Sequence, residues 1–240
     1  MQWGVAGAAG AALAHYVPST AVLATWLASP PEALPMGWCR WRGPGTRRQM
    51  ALTFDDGPSP ATTERTLDLL DRHGLRATFF VIGELAEAHP DLVREMRRRG
   101  HAVGSHGQCH EHHLLRRPSW IRADTARSVA VLRDVLGEGP RWYRPPFGQL
   151  TARTVLEARR HAMDVVLWTR WGREFAEHEV QPVVDRLATA AVPGAILLLH
   201  DTDVSCPAGT AARTHDVLGP LADLLASRDL EPVTLDDLVG

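Results

Sequence analysis

Cysteine and net charge are both scarce in this 240-residue chain, and each shortage excludes a class of protein. The three cysteines, Cys39, Cys109 and Cys206, are too few and too scattered for a disulfide framework or a multi-cysteine zinc site, and we expect unpaired thiols. With 26 basic and 28 acidic residues the net charge is −2, which leaves no electrostatic footprint for nucleic acid and suits a small or neutral ligand. The chain also lacks low-complexity tracts and repeats of roughly 20–50 residues, which excludes repeat architectures.

Charged side chains are absent from residues 1–31. A cleavable signal peptide is not indicated, because the segment lacks a basic region at its start. His15 and Pro18 interrupt the run of about 20 apolar residues that a membrane helix needs. We therefore expect two short helices packed on the flank of the main domain, with a membrane anchor as the alternative, and a cytoplasmic or membrane-associated protein. A linker rich in Pro and Gly over residues 30–46 predicts a boundary between residues 1–48 and a domain over residues 49–240.

Beyond residue 48, apolar runs with the periods of strands and helices alternate, which is typical of one α/β domain with a parallel sheet. Such a repeat predicts a sheet that is closed or nearly closed into a barrel. Strands are predicted over residues 49–54, 77–82, 101–105, 142–143, 163–168, 195–199 and 231–234, and helices over residues 61–73, 84–99, 119–136, 150–161, 179–191 and 210–227.

Two adjacent carboxylates, Asp55 and Asp56, follow the first predicted strand, and a Gly-Pro turn stops the strand there. In parallel α/β folds the active site forms at the carboxyl ends of the strands, where loops converge. A polar turn that caps the next helix is the alternative interpretation. The polar residues at the ends of the other predicted strands, described next, favour a catalytic site over a helix cap.

Five histidines fall between residues 101 and 113, and two of them have the spacing of metal ligands. His106 and His110 follow the third strand four residues apart, which brings both imidazoles to one side of a helical turn. Paired with a carboxylate they would make a metal site that leaves positions open for water and substrate. We expect His112 and His113 at the surface and His101 in a structural role.

Two further polar positions lie at the ends of predicted strands. Arg144 begins the rigid sequence Arg-Pro-Pro-Phe-Gly, which could hold a guanidinium beside a carboxylate and point the N–H of Phe147 into a cleft. A solvated arginine on a proline turn is the alternative. His200 lies at the tip of an apolar strand, where solvent and ligand can reach it, and Asp201 is expected to be a turn or capping residue.

Four motifs occur in the order of those in a known family. They are Thr-Phe-Asp-Asp-Gly-Pro over residues 53–58, His-Gly-Gln-Cys-His over 106–110, Arg-Pro-Pro-Phe-Gly over 144–148 and Leu-Leu-His-Asp over 198–201. In these motifs the chain resembles the polysaccharide deacetylase family, the NodB-homology group or carbohydrate esterase family 4, over residues 49–239. The resemblance and the βα repeat together imply an α/β fold. The expected architecture is a deformed, incomplete TIM-like (β/α) barrel of about seven parallel strands.

The resemblance also implies roles for the motif residues. Asp56, His106 and His110 would hold one divalent metal ion, with zinc expected and cobalt, nickel or manganese as alternatives. Asp55 would be the general base that deprotonates the attacking water. Arg144 would pair with Asp55 and keep that carboxylate ionised.

Two more motif residues complete the implied mechanism. The backbone N–H of Phe147 would stabilise the oxyanion together with the metal, and His200 would protonate the leaving amine as the general acid. Phe147 stands where the family commonly has Tyr, and Gly107 stands where it usually has Ser or Thr, so a supporting hydroxyl is lost but no ligand.

The fourth family motif, Asp-x-x-Asp-Trp after a strand, is the weakest match. Trp171 and Glu174 would occupy its two Asp positions. One of those carboxylates normally orients the catalytic histidine and raises its pKa. Glu174 is expected to serve this purpose with a longer side chain, and Asp164 and Asp203 are alternatives.

The implied function is metal-dependent hydrolysis of N-linked, or O-linked, acetyl groups on N-acetylated amino-sugar glycans or oligosaccharides, with release of acetate. The expected partner is this carbohydrate substrate, with no nucleic acid and no obligatory protein partner. One alternative is a hydrolase of another amide or imide bond on the same barrel, although such relatives tend to lose the metal ligands. The other is a non-catalytic carbohydrate-binding relative.

Overall fold

The structure is a computed structural model that describes residues 38–240, so the helices or anchor expected over residues 1–31 lie outside the described residues. Strands and helices alternate along this part of the chain. Its strands are β1 (Gln49–Asp55), β2 (Ala77–Val81), β3 (Ala102–Ser105), β4 (Trp142–Tyr143), β5 (Asp164–Val165), β6 (Arg170–Trp171), β7 (Ile196–His200) and β8 (Glu231–Val233). Its α-helices are α1 (Thr63–Arg72), α2 (Gly83–Ala88), α3 (Pro90–Arg98), α4 (Pro118–Leu136), α5 (Ala152–Arg160), α6 (Val180–Ala188), α7 (Thr210–Ser227) and α8 (Leu235–Val239).

All strand pairs are parallel, and seven strands follow the order β5-β4-β3-β2-β1-β7-β6, with β8 paired to the start of β1. The two ends of this order, β5 and β6, are consecutive in sequence. No ladder joins them within residues 38–240, so the barrel stays open along this seam. The prediction of a deformed, incomplete TIM-like (β/α) barrel is therefore confirmed.

The alternation of side chains along the central strands decides which of them face the barrel interior. In β1, Met50, Leu52 and Phe54 pack in the main core against the surrounding helices. Asp55, the last residue of β1, alternates with Phe54 and faces the barrel interior, and the register pairs it directly with His200 of β7. Residues paired across parallel strands point to the same face of the sheet, so these two side chains emerge side by side at the top of the barrel.

The predicted helix over residues 84–99 is wrong as a single element, because the structure divides it into α2 and α3. The break is at His89, which has φ −131° and ψ 57° and precedes Pro90. Proline lacks an N–H and disfavours helical backbone in the residue before it, so α2 ends and α3 begins there. The strand predicted over residues 163–168 is shorter in the structure, where it is β5 (Asp164–Val165). Neither β6 nor α8 was predicted.

Residues 38–46, the part of the predicted linker that the structure describes, lie against the barrel. The backbone of Arg40 bridges to Val166, and the N–H of Gly43 donates to the carbonyl of Gly194 at 2.8 Å. Cys39 and Trp41 pack against the core cluster beside β4 and β5. None of the helices between residues 38 and 240 combines the length and hydrophobicity needed to cross a membrane.

Candidate metal-dependent active site

The two carboxylates at the end of β1 point in different directions because the backbone changes conformation between them. Asp55 continues the strand, whereas Asp56 has a positive φ of 75°, an unusual conformation for a residue with a side chain. Both are nearly inaccessible, at 3% and 2% exposure. The turn therefore directs Asp55 into the barrel and Asp56 toward the loop after β3.

Asp56 meets the two histidines predicted as metal ligands. Its Oδ1 lies 3.2 Å from Nε2 of His106 and 3.2 Å from Nε2 of His110, yet this buried oxygen accepts no hydrogen bond of good geometry. Nδ1 of His106 is 2.7 Å from the backbone carbonyl of Arg144 and donates its proton there, which leaves Nε2 as the ligand atom. The three ligand atoms lie within 4.8 Å of one another, so the donor set fits a divalent cation.

The electrostatics of this cluster favour an added positive charge. Burial by itself would raise the pKa of Asp56, but the imidazoles of His106 and His110 hold it well below its usual range. Burial would also lower the pKa of His106, but the nearby Asp55 and Asp56 carboxylates raise it. A proton or a metal ion is thus stabilised among these groups.

Asp124 holds the loop that carries both histidines, and it is not among the residues predicted from the sequence. Its carboxylate accepts hydrogen bonds from the N–H groups of Gln108 at 3.0 Å and Cys109 at 2.9 Å. Gly107 has φ 83°, and a Cβ there would lie 3.0 Å from Asp124 Oδ2, so the glycine permits this close approach. The available signal was an acidic residue on the apolar face of α4.

Arg144 is wholly buried inside the barrel and donates to acceptors on β1 and on the segment between β5 and β6. One terminal nitrogen donates to Asp55 Oδ1 at 2.7 Å and to Thr53 Oγ1 at 2.8 Å. The rest of the guanidinium donates to the carbonyls of Val166 at 3.2 Å and Leu167 at 3.0 Å, in the segment between β5 and β6. The alternative of a solvated arginine is therefore wrong. The guanidinium orients Asp55 and connects β1 to the segment that follows β5.

His200 lies against a buried carboxylate from the weak fourth motif. Its Nδ1 is 2.7 Å from Glu174 Oε1, and the same oxygen accepts the His200 backbone N–H at 2.7 Å. The two alternatives lie elsewhere: Asp164 pairs with Arg40 at 3.2 Å, and Asp203 accepts the N–H groups that begin α7. The structure therefore brings Glu174, and neither alternative, onto the imidazole.

The Phe147 loop forms one wall of the site. Phe147 has a positive φ of 58°, is 41% exposed, and stacks on the ring of His112 at a centroid distance of 3.6 Å. An open cavity of about 340 Å³ lies above the carboxylates. Its aromatic lining comprises Phe147, Trp168, Trp171 and Phe175. A sugar ring can stack on such surfaces.

His113, predicted at the surface, and Asp201, predicted as a turn or capping residue, are both buried. His113 has no exposed surface, and its Nδ1 is 2.9 Å from Thr154 Oγ1, so the surface prediction for His113 is wrong. Asp201 is equally buried and accepts the hydroxyl proton of Thr63 at 2.5 Å, with burial raising its pKa to about 7. Both belong to the support of the site, since they anchor elements next to the metal-ligand loops.

The fold and the side-chain cluster together are those of a barrel hydrolase, with a candidate divalent-metal centre next to Asp55 and His200. The chain belongs to the polysaccharide deacetylase family, whose model matches residues 42–166. The family and enzyme class expected from the motifs, a hydrolase that deacetylates carbohydrate, are confirmed.

Named relatives and a solved structure agree with this membership. A peptidoglycan-N-acetylglucosamine deacetylase of Bacillus cereus is 28% identical over 196 residues, which are 82% of this chain and 70% of that protein. A chitooligosaccharide deacetylase of a Bradyrhizobium species is 34% identical over 155 residues, 64% of this chain and 71% of the relative. The crystal structure of a peptidoglycan N-acetylglucosamine deacetylase superposes with a TM-score of 0.79 at 26% identity, covering 85% of this chain and 96% of that one.

Proposed function

We propose that this protein is a metal-dependent N-deacetylase that removes acetyl groups from N-acetylated amino-sugar glycans or oligosaccharides. One observation carries the proposal: Asp55 and His200 are register partners on β1 and β7, and both line the same cavity as Asp56, His106 and His110. A base and an acid thus flank a metal-fitting cluster. The relatives named for peptidoglycan and chitooligosaccharide deacetylation support this substrate class.

Asp56, His106 and His110 are the residues that would hold the ion, and zinc suits this mixed nitrogen and oxygen donor set, with cobalt, nickel or manganese as alternatives. The ion would supply Lewis-acid polarisation of the acetamide carbonyl and would acidify the attacking water. Asp56 serves this purpose well because its Oδ1 is buried and otherwise without a hydrogen-bond donor.

Asp55 is the proposed general base. Its Oδ1 is held by Arg144 at 2.7 Å, while Oδ2 lies 3.9 Å from Nε2 of His106 and faces the cluster. The guanidinium neutralises the buried charge and prevents the carboxylate from rotating away. Oδ2 is therefore the atom that accepts the proton of the attacking water.

His200 and Phe147 complete the reaction on the other side of the cavity. The Glu174 carboxylate accepts the Nδ1 proton of His200, so Nε2 faces the cavity and can protonate the amine as its bond to the acetyl carbon breaks. The backbone N–H of Phe147, in a loop that lines the cavity, would donate to the developing oxyanion. The products are acetate and a free amino sugar, with no covalent enzyme intermediate.

Acetate release from N-acetylglucosamine oligomers and peptidoglycan fragments tests the proposal. We expect release by the zinc-loaded protein and a loss of about a hundredfold or more in Asp55→Asn, which removes the base but spares the metal ligands. Asp223→Asn, at an exposed position of α7, is the matched control. The chain has no lysine. An amine-reactive dye that detects the deacetylated sugar therefore has no protein side-chain amine to react with.

An absence of acetate release while one equivalent of metal is bound would refute the deacetylase proposal. The amide-opening and carbohydrate-binding alternatives would then be tested with cyclic amide substrates and by glycan binding.

A further inference from the structure

Cys206 lies beside the candidate metal cluster and contacts the second carboxylate oxygen of Asp56. Its Sγ is 3.7 Å from Asp56 Oδ2, whereas Oδ1 of the same carboxylate faces His106 and His110. The ligand atoms of Asp56, His200 and Cys206 all lie within 4.8 Å of one another. A tetrahedral ion with ordinary zinc bond lengths separates an oxygen from a sulfur ligand by about 3.6 Å, so the Asp56–Cys206 pair needs little adjustment.

His200 has the orientation of a metal-binding histidine. Its Nδ1 donates to the buried carboxylate of Glu174 at 2.7 Å, which leaves Nε2 as the atom available to a cation. A carboxylate on the far nitrogen is the usual support of a ligating imidazole, because it sets the ring orientation and the tautomer.

The loop that carries Cys206 is held rigidly at the start of α7. Asp203 accepts the N–H groups of Gly209 and Ala211, both at 2.8 Å, and the hydroxyl of Thr210 donates to the carbonyl of Pro207 at 2.6 Å. Cys206 also lines the open cavity of about 340 Å³, so an ion can enter from solvent. The thiol is thus both positioned and accessible.

We propose that Asp56, His200 and Cys206 form a further binding site for a thiophilic divalent cation such as Cd²⁺ or excess Zn²⁺. Binding forms a metal–sulfur bond and releases the Cys206 thiol proton to solvent, without any change of oxidation state. Asp56 would bind this cation through Oδ2 and the catalytic ion, shared with His106 and His110, through Oδ1. Its carboxylate would then bridge two cations, as in two-metal sites. Ligation occupies the nitrogen with which His200 would protonate the leaving amine. The cation therefore inhibits deacetylation, a consequence that rests on the proposed function.

Cadmium titration of the full metal-free chain tests the site directly. The wild type is expected to bind two equivalents and to develop thiolate-to-cadmium charge-transfer absorption. Cys206→Ser and Cys206→Ala are each expected to bind one equivalent without that absorption, and circular dichroism checks that they fold. Cys109→Ser, which removes the thiol between the histidine ligands, is the matched control and is expected to keep both signals. A charge-transfer band that survives in both Cys206 variants, or a wild type that binds a single equivalent without the band, would overturn the proposal.

Zinc inhibition provides the second readout. The activity of each protein is measured at increasing Zn²⁺ concentrations and is expressed relative to its own activity with one equivalent of Zn²⁺. The concentration for half inhibition is expected to rise about tenfold or more in Cys206→Ser. An equal concentration in both proteins would overturn the inhibitory role. A Cys206-dependent cadmium band in a protein that releases no acetate would support the cation site while refuting the deacetylase proposal, so the two failures are distinguishable.

Discussion

The pair formed by Glu174 and His200 makes the most specific prediction about pH dependence. Burial of His200 by itself lowers the pKa of its imidazole, but the hydrogen bond and negative charge of Glu174, with the nearby aspartates, raise that pKa to about 9. The protonated form that acts as the general acid is therefore present below about pH 9 and is lost above it. We expect Glu174→Gln to move this alkaline limit of kcat to lower pH.

The magnitude follows from the change in hydrogen bonding. Replacing a charge-assisted bond by a neutral one removes about 1–2 kcal/mol, which corresponds to a pKa decrease of about one unit for His200. The raised pKa also stabilises the folded state by about 3 kcal/mol, from the interval between 6.5 and about 9. This contribution is fully present below pH 6.5 and disappears as the pH rises through 9. The free energy of unfolding should therefore fall less between pH 6 and pH 10 in Glu174→Gln than in the wild type.

Two measurements test this reasoning at the same metal loading: the pH profile of kcat, and urea unfolding at each pH. Glu177→Gln removes a carboxylate of the same loop that pairs with Arg186 at 3.5 Å rather than with His200, and it is the control. An alkaline limit at the same pH in the wild type and in Glu174→Gln would refute the assignment of Glu174 as the positioning residue of the acid.

Three further predictions concern other parts of the site. Arg144→Met leaves the Asp55 carboxylate buried without its counter-charge, so we expect a loss of about 3–5 kcal/mol in urea unfolding; a loss below about 1 kcal/mol would contradict the role of the guanidinium as the counter-charge of Asp55. Removal of metal with a chelator should abolish acetate release, and one equivalent of zinc should restore it in the wild type but not in His106→Ala; activity that persists without metal would argue against a metal-dependent reaction. Trp171→Ala removes an aromatic wall of the cavity and should raise KM for oligosaccharides by about 2–10-fold with little change in kcat, as steady-state kinetics would show; an unchanged KM would place the sugar elsewhere.

Several features of this protein follow from local sequence. The apolar run that ends in Asp55 and Asp56 and the apolar run that ends in His200 both predict buried strands with polar tips, and both strands are present in the structure. The spacing of His106 and His110 predicts two imidazoles on one side of a helical turn. The structure brings both imidazoles to Asp56, but from an irregular loop in which Gly107 has φ 83°. Because the strands of a βα repeat run parallel, their carboxyl ends converge, so the candidate site could be located without coordinates. The break before Pro90 was equally visible in the sequence, since proline restricts its preceding residue.

Other features depend on contacts between residues far apart in the chain, which no local pattern contains. The register of β1 against β7 places Asp55 beside His200, and a shift by one residue would turn one of them away from the cavity. The path of the chain through the short strand β6 brings Glu174 to His200, although its motif was the weakest in the sequence. The contact of Cys206 with Asp56 joins positions 150 residues apart. Sequence by itself therefore determined the kinds of groups at the strand ends, while the packing of the barrel decided which of them touch, because side-chain contacts are set by register and by chain path.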